Sequence, residues 1–62
     1  MNKPLSVSPK EGFAMLGIGM TLGYELLNSG DLESFTIGRA RRITVASIEA
    51  YIARRVAAQK AA

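Results

Sequence analysis

The chain has 62 residues, 48% of them apolar, and carries a net charge of +3 with no cysteine and no histidine. A chain this short buries only about 60% of the surface its unfolded form exposes, so it has room for one small core and none for an enclosed cofactor cleft beside it. The missing thiols remove disulfide staples and thiolate metal sites, and the missing imidazoles remove the commonest metal ligand and the commonest general base.

Residues 1 to 7 read as a short lead. "SPKE" then marks a helix start: Ser8 caps, Pro9 suits the first helical position, and Glu11 stands where a capping box needs an acid. The helix is predicted from Pro9 to Leu16, with Met15 and Leu16 inward and Gly12 allowing close approach; the spacing leaves the side taken by Phe13 open, and a partly exposed ring is compatible with it. Gly17 suits a left-handed position after the helix end, and Ile18 dips into the core. A second helix is predicted from Met20 or Thr21 to Asn28, with Gly23, Tyr24 and Leu27 inward and Gly30 as its left-handed cap. Glycine within a helix costs about 1 kcal/mol relative to alanine. Gly23→Ala is therefore expected to leave stability level or raise it slightly.

From residue 32 the period changes. Phe35 and Ile37 alternate and Ile43 follows, which predicts a hairpin of Ser34 to Ile37 and Arg41 to Ile43 around a Gly38-Arg39-Ala40 tip. Arg41 and Arg42 then point to opposite faces of the return strand. Thr44 caps a third helix, predicted from Val45 to about Ala57. Val45, Ile48 and Ile52 form its inward stripe, Tyr51 lies on the core edge, and "AAQKAA" frays at the end. The whole is read as one domain, residues 1–62, with an ordered core of about 7–57.

Charge is uneven along this layout. Residues 1 to 31 carry two lysines against three acids, a net of −1, whereas residues 32 to 62 carry six cations against Glu33 and Glu49, a net of +4. A basic half on a small domain points to a polyanion, of which nucleic acid is the commonest. No uncharged run reaches the length of a membrane span. Serine and threonine lack a histidine to activate them, and no carboxylate pair flanks a pocket, so the reading is not an enzyme. The expectation is a cytoplasmic protein with no metal, no cofactor and no membrane partner.

The order helix, helix, hairpin, helix is that of a small α+β winged helix-turn-helix. In that order, the string from Val7 to Ile52 resembles the MerR-like helix-turn-helix domains of phage and plasmid excisionases. The resemblance rests on "VSPKEGFAML", on Gly17 and Ile18, on Tyr24, and on the Ser29-Gly30-Asp31-Leu32 step. It rests also on "IGRARRI" (Ile37 to Ile43) and on Ile48, Glu49 and Tyr51. It implies an excisionase, or recombination directionality factor, that binds and bends double-stranded DNA beside an integrase or neighbouring copies of itself. A small transcriptional regulator of a mobile-element operon is the alternative on the same fold. A protein-interaction module derived from a helix-turn-helix is a third reading.

The implied recognition helix offers Met20, Thr21, Leu22, Glu25 and Asn28, and the implied wing offers Arg39, Arg41 and Arg42. The chain departs from the family where Gly19 and Met20 replace serine and arginine, where Glu25 replaces a basic residue, and where Leu22 occupies a usually polar position. Leu22 then touches a thymine methyl or a protein, and Glu25 accepts from a cytosine amino group while repelling phosphate.

Overall fold

The computed structural model describes residues 4–61. Its elements run β1 (Ser6–Val7), α1 (Pro9–Leu16), α2 (Met20–Ser29), β2 (Ser34–Ile37), β3 (Ala40–Thr44) and α3 (Val45–Ala61). This is a winged helix-turn-helix: two short helices at a corner, a hairpin wing, and a third helix closing the core.

α1 starts as its residue types dictate. The Ser8 hydroxyl accepts from the Glu11 amide at 3.2 Å and lies 3.1 Å from the Glu11 carboxylate, to which it donates. Gly17 ends α1 and Gly30 ends α2, both with left-handed backbone. The Thr44 hydroxyl accepts from the Ser47 amide at 3.2 Å and opens α3.

The lead holds a strand. β1 pairs antiparallel with β3, setting Ser6 opposite Thr44 and Val7 opposite Ile43, so the wing is the outer part of a three-stranded sheet in the order β1-β3-β2. Two residues show no alternation in sequence; their extended form comes from β3, far along the chain. Residues 1–3 of the expected lead lie outside the described residues. The hairpin itself is tighter than predicted, because Ile37 pairs with Ala40 and leaves only Gly38 and Arg39 as the turn. Gly38 has a φ of 59°, and no other residue of the turn is positive. That is the pattern of a two-residue turn that requires glycine at its first position.

The core consists of Val7, Phe13, Leu26, Leu27, Leu32, Ile43 and Ile48. Phe13, whose side the sequence left open, is only 2% exposed, whereas Met15, expected inward, is 54% exposed. The partner decides the phase of α1. The Phe13 ring lies directly on Gly23, where a Cβ would stand 2.6 Å from three of its ring atoms. Tyr24, expected inward, flanks this contact and meets Phe13 edge-on at 5.3 Å between ring centroids. Leu26 takes the buried position instead. The expectation for Gly23→Ala is thereby reversed, since no methyl fits beneath a ring that is itself enclosed.

α3 also differs from its predicted span. It runs helical to Ala61 rather than fraying after Ala57; Ala62 lies outside the described residues. Ile52, predicted inward, is 43% exposed, because the body of the domain ends at Ile48 and Tyr51.

Candidate nucleic-acid interface

Two exposed surfaces carry the residues that the sequence singled out. The first is the outer side of α2. Gly23, Leu26 and Leu27 are buried, which turns the opposite side of the helix to solvent. Thr21, Glu25 and Asn28, spaced four and three apart, share that outer side, with Leu22 on its flank. All four are exposed. Met20 opens the helix and is 50% exposed; Leu22 is 46% exposed. None of these side chains donates to or accepts from another described residue. Gly19 caps α2 without a side-chain hydrogen bond. The first amides of the helix thus remain open to solvent, an arrangement that suits a phosphate oxygen.

The second surface is the wing. Arg39 stands in the turn, exposed, with no hydrogen bond or ion pair to another described residue. Arg41 lies on β3 opposite Thr36, and its Nε donates to the Ser34 hydroxyl at 3.3 Å. That bond steadies the side chain while leaving the terminal guanidinium nitrogens open.

Arg42 is employed differently. Its Nε donates to the Ser6 hydroxyl at 3.2 Å and its Nη2 to the Ser6 carbonyl at 2.9 Å. The side chain is half-buried and ties β3 to β1. The three arginines therefore do not form one cluster. Arg39 and Arg41 are presented outward, and Arg42 spends two of its donors inside the sheet. Arg54, another cation of the basic half, is likewise engaged. Its Nη2 reaches the Asp31 carboxylate at 3.4 Å and the Asp31 carbonyl at 3.3 Å, and its guanidinium lies 5.8 Å from the Tyr51 ring centre.

Sequence reasoning missed Ser6 and Ser34, the anchors that divide the arginines between these tasks. Neither serine lies in a recognisable motif, and only the register of the sheet brings each one to its arginine. It also passed over Ile37, 66% exposed beside the wing turn.

The family described as "helix-turn-helix domain" matches residues 7–56. The chain belongs to that family. The matched segment takes in α1, α2, the wing and most of α3. A curated relative from Saccharopolyspora erythraea, "Probable excisionase", is 47% identical over 53 residues. The match covers 86% of this chain and 54% of the relative, so the chain spans about half the length of the curated protein it matches. No solved structure matches the chain. Among the described residues, no helix is long and apolar enough to cross a membrane.

Proposed function

We propose that this helix-turn-helix domain is a MerR-like, excisionase-type DNA-binding protein of the cytoplasm, acting as a recombination directionality factor. α2 enters a major groove with Thr21, Leu22, Glu25 and Asn28 toward the base edges and Met20 at its leading end. The wing lies on the adjoining backbone or minor groove, where Arg39 and Arg41 contact phosphate. Arg42 holds the wing to β1 rather than touching DNA. Residues 1–62 act as one unit in this scheme.

The observation that carries the reading is the outward presentation of Arg39 in the wing turn and of Arg41 on the adjoining β3, on a wing that follows an outward-facing α2 without a side-chain cap. The excisionase-like relative supports it. Phosphate contacts fix position and supply affinity, while base contacts select the site. A single module of this size buries little surface, so one copy alone binds weakly. Neighbouring copies, or an integrase on the same DNA, supply the remaining contacts, and the sum of those contacts offsets the cost of bending the duplex.

A circular-permutation mobility assay tests this. Duplexes recovered by the protein from a random pool are placed at different positions along fragments of equal length. The expected result is a complex whose mobility depends on the position of the site, as a bend requires. A complex with position-independent mobility contradicts the architectural role, and absence of any complex contradicts the DNA-binding role.

A further inference from the structure

We infer that α2 selects its DNA site through thymine methyl groups, by apolar contact from its first turn, rather than through hydrogen bonds to guanine. The inference rests on the DNA-binding reading above and specifies the chemistry of that same surface.

The first turn of α2 is Met20-Thr21-Leu22. Each of these residues ends in a methyl group, and each is exposed: Met20 at 50%, Leu22 at 46%, and Thr21 on the outermost line of the helix. The N-terminal residues of a recognition helix are the ones that reach base edges. No lysine or arginine occurs anywhere on α2, and its only amide side chain, Asn28, lies two turns further on. Guanine presents two acceptors in the major groove and is read by a cationic side chain, which this helix lacks. Thymine presents a methyl group, which aliphatic and threonine methyls read by contact. The one charged group on the outer side, Glu25, accepts hydrogen bonds only, so it favours the amino edge of cytosine or adenine and opposes the acceptor edge of guanine.

Charge complementarity favours DNA over a protein as the occupant of this apolar turn. α2 itself contributes one negative charge, and the wing that follows presents Arg39 outward, and Arg41 with its terminal guanidinium nitrogens open beyond the Nε bond to Ser34. A polyanion is gripped by the wing while the neutral first turn meets the groove floor, where methyl groups rather than phosphates are the available surface.

Deoxyuridine provides the test, because it differs from thymidine only by that methyl. The probe is the duplex enriched by the protein from a random pool, synthesised once with thymine and once with deoxyuridine throughout the bound segment. Both are titrated by fluorescence anisotropy with the full chain and with Leu22→Ala. Removing a methyl from an apolar contact corresponds to about fourfold in affinity. The expected result is a loss of about fourfold for each methyl contacted, and a smaller ratio between the two duplexes for Leu22→Ala. Leu22 is exposed, so that variant is expected to fold, and circular dichroism checks that it does. Equal affinity of the parent for both duplexes, with its salt dependence intact, overturns the methyl readout and leaves DNA binding standing. An unchanged ratio in Leu22→Ala overturns the assignment to this turn. A parent chain that binds neither duplex at low salt overturns both readings and leaves a protein partner as the occupant of the turn.

Discussion

The α1–α2 corner and the β2–β3 wing are held by opposite means. At the corner, Phe13 fills the space above Gly23 and Tyr24 closes its edge, so shape complementarity sets the geometry. At the wing, the backbone ladder and a left-handed glycine set the geometry, and the side chains at its end are free. The corner therefore has no tolerance for an added atom, and the wing tip can exchange its side chains without loss of fold. The residues proposed to bind sit where exchange is free, and they are aimed by a part where it is not.

The largest effect on stability is expected at Gly23. Overpacking a filled core typically costs about 1–3 kcal/mol, which breaks even with the roughly 1 kcal/mol that alanine gains in helix propensity only at the lower end of that range and outweighs it above. Here the clash is with the face of an enclosed ring, so the upper end applies. Gly23→Ala should lower the thermal midpoint by several degrees, since a domain of this size shifts about 4–8 °C per kcal/mol. A level or raised midpoint in a calorimetric scan would show that the corner has slack, and the contrast with the wing would weaken.

A smaller effect is expected at Arg42, which belongs to the wing by position and to the body by its bonds. Arg42→Ala removes two hydrogen bonds to Ser6 and loosens β1, for a cost of about 1 kcal/mol. Hydrogen exchange should speed at the Val7 amide and at the Val45 amide, which donates to the Leu5 carbonyl, while the Thr44 amide, which donates to the Glu33 carbonyl, and those of β2 stay protected. Unchanged exchange at β1 would return Arg42 to the group of free wing cations.

Much of this arrangement was legible in the chain. The Ser8-Pro9-Glu11 cap, the breaks at Gly17 and Gly30, and the change of period at Phe35 and Ile37 are local signals, and each marks an element boundary to within a few residues. What was not legible depends on partners distant in sequence. α1 offers Phe13, Met15 and Leu16 within a few positions, and nothing local tells which of them faces Gly23. Ser6–Val7 is a strand only because β3 lies beside it. Likewise, Arg39, Arg41 and Arg42 look alike as residues, and the pairing register with Ser34 and Ser6 is what separates them. At the candidate site, the outer line of α2 follows from helical spacing once Gly23 and Leu27 face inward, but the division of the arginines does not.

That division is the central claim, and salt dependence tests it most directly. Duplex affinity is measured by anisotropy across a series of salt concentrations for the parent, for Arg39→Ala combined with Arg41→Ala, and for Arg42→Ala. Each phosphate contact contributes about 0.9 to the slope of log affinity against log salt. The double variant should lose roughly 1.8 of slope, as two phosphate contacts require, and should melt at the same temperature as the parent. Arg42→Ala should keep the parent slope while melting lower. A double variant that retains the full slope, or an Arg42→Ala variant that loses as much of it, would contradict the account.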